Sequence, residues 1–463
     1  MLDSASRAIL CLALVVAACD SGDPPPENIQ PMPEPEGIAY PLSVSTTGRY
    51  LTDQLGRPVF LQGDAAWSLI ANVSLEDAEV YLADRAAKGF NAIYVNLVET
   101  AFTNQDPPWK NVYGEAPFSS LPDTYIMDFS VPNEAYWSHV DAVFEAAAEQ
   151  DILVFAFPAY MGWMQQFDGW SYALDANGVD RMRAYGEFLG KRYVDQPNLI
   201  WVAGGDWGPS GPSYELTDEV AAWVGGIRTH DTTHLWTGHG GQQSGTEVYG
   251  YLGLDLNTTY RYPPAEAPDA VRIDVRRTPR MPVVFFEGWY ENEYSTTPAK
   301  LRYQAYSSIL GGAMGHFYGN NPMWFFGDGW KAALNTAGAR SMVHVAALFR
   351  SRPFHLLAPD DGGRVVTGDR GTLKGGNYVA AARAESGITS IIYVPEDRAV
   401  AVDLSQAIDG DTARLWCLDP KTGAATDLGT TPAEGLFNAT ACATPDWILV
   451  VDDASMGLGV PGG

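Results

Sequence analysis

Two acidic residues are placed where they could do chemistry. Asp206 follows the apolar run Leu199–Ala203 through two glycines, and Glu287 directly follows the apolar run Val283–Phe286. Two carboxylates that face one bond can act as proton donor and as nucleophile or base, the usual minimum for hydrolysing a glycosidic bond. We therefore predict that both are catalytic. A helix N-cap at Asp206 and a structural salt bridge at Glu287 are the alternatives.

Polar and aromatic residues also follow other apolar runs. Aromatic faces suit the C–H groups of sugars, and the chain contains 14 Trp. The residues predicted to bind substrate are Asp64, Trp67, Asn96, Tyr160, Trp163, Trp207, His239, Tyr260, Trp289 and His316. A barrel-mouth ion pair is the alternative for Asp64, and structural roles are the alternative for the histidines and for part of the tryptophans.

These residues can meet only if the elements before them close into a ring. Apolar runs typical of buried parallel strands alternate with helical patterns from residue 59 to about residue 350. The first unit has a strand at Val59–Gly63 and a helix that Ser74 caps and Gly89 ends. Eight strand candidates in about 290 residues predict a (β/α)₈ TIM barrel, an α/β fold with its active site at the carboxyl ends of the strands. An open doubly wound sheet is the alternative, but no glycine-rich phosphate loop follows the first strand.

The pattern changes after Pro353. Short β-rich runs separated by Gly, Asp and Pro predict a C-terminal β-sandwich over residues 353–463, with the barrel over residues 40–352. Cys417 and Cys442 both lie in the predicted sandwich, and in an exported protein we expect them to form a disulfide.

The N-terminal residues predict export. Arg7 precedes an apolar run over residues 8–18, which is too short to span a bilayer but is typical of a signal peptide. Val16-Ala17-Ala18-Cys19 resembles the bacterial lipobox, in which the cysteine is lipidated; an ordinary signal peptide over residues 1–18 is the alternative. Residues 19–39 are rich in proline and acidic residues and predict an extended linker. We expect a lipoprotein of the bacterial cell envelope that contacts the membrane only through its lipid anchor.

The charge of the chain excludes one class of partner. There are 29 Lys and Arg against 56 Asp and Glu, a net charge of −27, so we expect no nucleic-acid binding. The chain has no CxxC or HExxH motif, and acid/base hydrolysis needs neither metal nor organic cofactor, so we expect none. We also expect a monomer.

Three motifs carry a family resemblance. Gly63-Asp64-Ala65-Ala66-Trp67, Gly204-Gly205-Asp206-Trp207 and Phe286-Glu287-Gly288-Trp289 resemble signatures of the apiosidase-like barrels of glycoside hydrolase family 140. The C-terminal part resembles the domain named for collagen binding that often follows this barrel. The resemblance implies that Asp206 is the general acid/base and Glu287 the nucleophile of a retaining enzyme. It also implies an oligo- or polysaccharide substrate from plants or algae; founding members cleave apiosyl linkages in pectic side chains. A non-catalytic surface adhesin that binds glycan or matrix is the alternative function.

Overall fold

The computed structural model describes residues 37–100, 102, 109–163, 169–208, 210–211, 214–440 and 445–463. The predicted signal peptide, Cys19, most of the predicted linker and Cys442 lie outside these residues. Within the described part of the chain, no helix has the length and apolar character needed to cross a membrane.

Eight parallel strands form the central sheet. The strands are β1 Leu61–Ala65, β2 Ala92–Asn96, β3 Leu153–Phe157, β4 Leu199–Gly204, β5 Leu235–His239, β6 Asn257–Tyr260, β7 Val283–Glu287 and β8 Gly315–Tyr318. Their hydrogen-bonded order is β5-β4-β3-β2-β1-β8-β7-β6. Asp255 N donates to Trp236 O at 2.9 Å, and Thr237 Oγ1 donates to Leu256 O at 2.9 Å. These bonds join β5 to the residues that lead into β6, and Thr258 Oγ1 of β6 donates to Gly238 O of β5. The ring therefore closes, and the predicted TIM barrel is confirmed.

A helix follows each strand. The helices are α1 Leu75–Ala87, α2 Glu134–Glu149, α3 Ser171–Tyr193, α4 Thr217–Arg228, α5 Gly245–Tyr249, α6 Ala267–Val275, α7 Pro298–Ile309 and α8 Ala337–Arg350. The Ser74 side chain accepts from Asp77 N at 3.2 Å, which is the predicted cap of α1. Helix α3 continues across Gly178, which joins two helical segments through a φ of +65° that glycine tolerates.

Shorter elements fill the connections. They are the strands Ser43–Val44, Leu51–Thr52, Pro58–Val59, Phe118–Ser120 and Met127–Pro132 and the short helices Leu69–Asn72 and Trp330–Ala333. Val59 was expected to open the first barrel strand. It instead pairs with Leu51 in an antiparallel sheet, so β1 starts at Leu61.

Alternate residues of each strand face opposite sides of the barrel wall. Ala65, Tyr94, Phe286 and Phe317 belong to the cluster that fills the barrel interior. Phe285, one residue before Phe286, packs instead with apolar residues of α6. The two-residue period of a strand therefore decides which side chains can reach the mouth.

The C-terminal domain consists of antiparallel sheets, as predicted. A six-stranded sheet and a three-stranded sheet pack around one hydrophobic cluster. In chain order the strands are Leu357–Pro359, Val366–Thr367, Ala380–Ala384, Thr389–Val394, Val400–Asp403, Thr412–Leu418, Ala425–Pro432, Leu436–Ala439 and Trp447–Asp453; the short helix Leu404–Ala407 lies between them. Cys417 is disulfide-bonded, and its pairing with Cys442 stays a prediction.

Buried ion pairs join the sandwich to the barrel. Arg302 of α7 contacts Asp446 at 2.7 Å (Nη2 to Oδ1), and Arg352 contacts Asp452 at 2.6 Å (Nη2 to Oδ2). Tyr393 also donates its hydroxyl to Asp446 Oδ2 at 2.7 Å. All four charged side chains are almost fully buried. Because an unpaired buried charge is costly, each arginine depends on its acidic partner in the other domain.

Candidate active site

A cleft of about 470 Å³ opens at the carboxyl ends of the barrel strands. Of the residues predicted to form the site, Trp67, Asn96, Tyr160, Trp163, Asp206, Tyr260 and Glu287 line it. Residues that sequence reasoning missed also line it: Phe102, Tyr262, Tyr290, Glu293 and Tyr294. Trp324, for which the sequence left a core role and a cleft role open, lines it as well. Most of the wall is aromatic, which suits the apolar faces of sugar rings.

Two glycines turn the chain so that Asp206 reaches the cleft. Gly204 and Gly205 have φ values of +103° and +114°. A Cβ on Gly204 would lie 2.4 Å from His239 O, and one on Gly205 would lie 2.5 Å from Tyr160 Cδ2. Both positions therefore require glycine. The Tyr160 hydroxyl donates to Asp206 Oδ2 at 2.7 Å and fixes the carboxylate.

Glu287 is the last residue of β7 and is held by a phenol. Tyr290 donates its hydroxyl to Glu287 Oε1 at 2.7 Å. The same Tyr290 oxygen accepts from Trp67 Nε1 at 2.9 Å and lies 2.5 Å from the Tyr94 hydroxyl. This hydrogen-bonded chain orients Glu287 from the interior side of the barrel.

His239 lies between the two acids. Its Nδ1 accepts from Asp206 N at 3.2 Å, so the ring proton lies on Nε2. Nε2 is 2.8 Å from Glu287 Oε2, although the two atoms are not aligned as a hydrogen bond. Burial lowers the pKa of His239 to about 4, so the ring is neutral. His239 is fully buried and stacks on Tyr260 with centroids 5.0 Å apart. It supports the acids instead of contacting substrate as predicted.

The two carboxylates are close together. One oxygen of Asp206 lies within 4.8 Å of one oxygen of Glu287, and a His239 nitrogen lies within the same distance of both. These three side chains form the one set of three or more His, Cys, Asp or Glu in the described residues that could hold a metal ion. Acid/base hydrolysis by these side chains uses only their protons and lone pairs.

Burial raises the pKa of both acids. The pKa of Asp206 rises to about 7, first because of burial and then because of the charge on Glu287. The pKa of Glu287 rises to about 8, again through burial and with a smaller contribution from Glu293; the Tyr290 hydrogen bond opposes the rise. The pair therefore keeps a proton at neutral pH, as a general acid requires.

Asp64 does not contact the cleft, contrary to the prediction. It lies within β1 and faces the helices, because Leu61 and Ala65 face the interior. Its side chain is fully buried and forms an ion pair with Arg85 of α1 at 2.5 Å (Oδ2 to Nε). Tyr81 also donates to Oδ2, at 2.8 Å. Of the alternatives open from the sequence, the ion pair is the one observed.

Three more predicted binding residues lie away from the cleft. His316 faces the helices and stacks on Phe285 with centroids 5.7 Å apart. Trp207 is buried outside the lining, and Trp289 stacks on Tyr294 at 5.7 Å behind the rim. His316 points outward because Phe317, the next residue of β8, fills the interior.

The missed cleft residues and Trp324 come from loops. Tyr290, Glu293 and Tyr294 follow Glu287 within seven residues, in the sequence Gly-Trp-Tyr-Glu-Asn-Glu-Tyr. Trp324 follows β8 and donates its Nε1 to Glu293 Oε1 at 2.9 Å. The density of aromatic and acidic residues after Glu287 was the signal that could have revealed the first three.

Comparisons with known proteins agree with this geometry. The family model "Apiosidase-like, catalytic domain" matches residues 45–355, and the model "Putative collagen-binding domain of a collagenase" matches residues 363–452. A solved structure titled "Glycoside hydrolase" is 26% identical with a TM-score of 0.76, covering 90% of this chain and 97% of that chain. A glycoside hydrolase family 5 structure from Bacteroides vulgatus is 24% identical with a TM-score of 0.76, covering 89% and 94%.

No curated protein is significantly similar to this chain. The first family model, however, spans the whole barrel with its cleft, and the two structural similarities extend over nearly all of the chain. By its barrel, this chain belongs to the apiosidase-like family.

Proposed function

We propose that this protein is a retaining glycoside hydrolase that acts on oligosaccharide fragments of plant or algal polysaccharides. The proposal rests mainly on one observation: Asp206 and Glu287 line the same open cleft, and a carboxylate oxygen of Asp206 lies within 4.8 Å of a carboxylate oxygen of Glu287. Retaining enzymes have carboxyl groups about 5–5.5 Å apart, and inverting enzymes need about 6.5–9.5 Å to admit a water. The short separation supports retention.

The two acids divide the reaction between them. Protonated Asp206 donates its proton to the leaving oxygen while ionised Glu287 attacks the anomeric carbon and forms a glycosyl-enzyme ester. Asp206, now ionised, takes a proton from water, whose oxygen displaces Glu287 and releases the sugar. The hydroxyl of Tyr290 holds Glu287 Oε1 by a hydrogen bond during both steps.

Substrate must place the shared proton on Asp206. In the cleft without substrate, burial raises the pKa of both Glu287 and Asp206, so the two acids share a proton at neutral pH. A bound glycosidic oxygen accepts a hydrogen bond only from protonated Asp206, and a partly positive anomeric carbon favours ionised Glu287. Substrate binding therefore selects the reactive arrangement of the proton.

We expect a bell-shaped pH profile of kcat/KM with its maximum between about pH 7 and pH 8. Below this range both acids are protonated and Glu287 cannot attack; above it no proton remains for the leaving group. Tyr290→Phe removes a donor that lowers the pKa of Glu287, so it should move the maximum of the profile to higher pH. A maximum near pH 4 to 5, where ordinary carboxyl groups titrate, would contradict the assignment.

The proposal is tested by the stereochemistry of the product. We expect wild-type protein to cleave members of a panel of aryl glycosides and pectic and hemicellulosic oligosaccharides. Proton NMR at early times should show the anomer of the substrate. An initial product of opposite configuration would exclude the double displacement, and no cleavage of any substrate by wild type would favour an adhesin.

Export and lipidation at Cys19 remain part of the proposal. They are supported by the signal-peptide pattern and by Val16-Ala17-Ala18-Cys19, and they would place the cleft outside the cytoplasm, where polysaccharide fragments are met.

A further inference from the structure

The described lining of the cleft contains acidic side chains but no basic one. Asp206, Glu287 and Glu293 line it, and the described lining contains no Lys, Arg or His. An anionic group that enters would therefore meet carboxylates without a cation to neutralise it.

Two buried oxygen atoms of the cleft are hydrogen-bond acceptors that have no donor among the described residues. Asn96 Nδ2 donates to the buried Glu99 carboxylate at 3.0 Å, which leaves Asn96 Oδ1 as a buried acceptor without a partner in the described structure. Glu287 Oε2 likewise lacks an aligned donor. Sugar hydroxyls can donate to these oxygens, whereas a carboxylate or sulfate group has only acceptors. Hydroxyl groups of a ligand can therefore complete these contacts, and a carboxylate or sulfate group in their place cannot.

Glu293 places a fixed carboxylate beside the reacting groups. Its Oε1 accepts from Trp324 Nε1 at 2.9 Å and from Asn321 Nδ2 at 3.0 Å, so the side chain is held in one position. Its charge is close enough to raise the pKa of Glu287. It takes no part in the proposed proton transfers, so its charge is free to act on the ligand.

The basic cluster of the chain lies at a different site. Arg272, Arg276, Arg277 and Arg280 surround a second pocket between α6 and the start of the sandwich. Arg272 and Arg276 are both paired with Asp361. These arginines cannot neutralise an anion in the catalytic cleft.

We propose that the cleft accepts uncharged glycosides and rejects those whose bound residues carry a free carboxylate or sulfate, and that Glu293 sets this selectivity. This inference rests on the proposed function, because it names the substrate class of the same site. Uronic acid residues would enter only as neutral esters or in parts of the substrate outside the cleft. Like charges placed together at a binding site typically cost enough to reduce affinity at least about tenfold.

The test compares substrates that differ in one charge. Galacturonate oligosaccharides and glucuronate-bearing xylan oligosaccharides are prepared as free acids, as methyl esters and as carboxyl-reduced neutral forms. Calorimetric binding to the Glu287→Gln variant should be at least about tenfold tighter for the neutral forms. Free acids that bind equally well, or neutral forms that do not bind at all, would overturn the inference. Neutral forms that bind but are not cleaved by wild type would instead count against the proposed function.

A matched pair of variants tests Glu293. Glu293→Gln should reduce the ratio of the affinities for neutral and free-acid forms severalfold. Added salt should also reduce this ratio in wild type, because salt screens exposed charges. Glu149→Gln removes an equal charge from an exposed position at the end of α2 and should leave the preference for neutral forms unchanged. Full discrimination by Glu293→Gln, or an equal loss in Glu149→Gln, would remove Glu293 from the proposal.

Discussion

Replacing Glu287 with glutamine should lower kcat/KM by about 10⁴-fold or more, because an amide cannot attack the anomeric carbon. Steady-state kinetics on any cleaved glycoside measures the loss. A small external nucleophile such as azide should restore turnover on an aryl glycoside and yield a glycosyl azide of inverted configuration. A variant that keeps a tenth of the activity would show that Glu287 is not the nucleophile.

Asp206→Asn distinguishes the two roles. Loss of a general acid typically lowers the catalytic rate about 10²–10⁴-fold. We expect this decrease in kcat/KM mainly for oligosaccharide substrates. Aryl glycosides with acidic leaving groups need no proton, so their first step should be nearly unaffected. An equal loss on both kinds of substrate would contradict the acid role of Asp206.

The thermal stability of Glu287→Gln provides the folding control. The pKa of Glu287 is about 8 in the folded protein, above its ordinary value of 4.5. A raised pKa contributes stability at low pH that is lost as the pH rises through the folded value. Glutamine does not ionise, so the variant should gain stability relative to wild type between pH 4.5 and 8 and keep that gain above pH 8. Inactivity with a lower melting temperature at pH 9 would indicate misfolding.

Replacing Asp64 with asparagine should destabilise the fold by about 3–5 kcal/mol, because it leaves the guanidinium of Arg85 buried beside a neutral side chain. The free energy of unfolding, measured by denaturant titration, should fall while KM of the remaining folded protein stays unchanged. A raised KM with wild-type stability would return Asp64 to the substrate site.

A double variant separates charge from packing at this site. Asp64→Asn combined with Arg85→Met contains no buried charge at the pair, so it should recover part of the lost stability. If the single variant does not fold, this recovery alone tests the explanation. A double variant less stable than the single one would contradict it.

The sequence revealed the two acids but not the orientation of Asp64. Glu287 ends its strand, as expected, whereas β1 continues through Ala65 and keeps Asp64 within the wall. Strands of a barrel are buried on both faces, so their apolar pattern does not tell which residues point inward. The same ambiguity misplaced His316, which lies one residue before the inward-facing Phe317.

The loop residues of the cleft were beyond the sequence for a different reason. Asn292, Tyr294 and Ser295 adopt positive φ values of 67°, 48° and 57°, a conformation that non-glycine residues rarely take. Nothing in their types signals this path. It brings Tyr294 to the rim of the cleft and places Glu293 beside Trp324.

The charges shared across the domain junction restrict how this architecture can be inherited. Arg302 and Arg352 are neutralised by Asp446 and Asp452, so an unrelated module that packs on the same face of the barrel would bury two guanidinium groups without acidic partners. Exchanging the C-terminal module for an unrelated one would require simultaneous changes at both arginines. The two domains are therefore expected to descend together, as one unit of recombination.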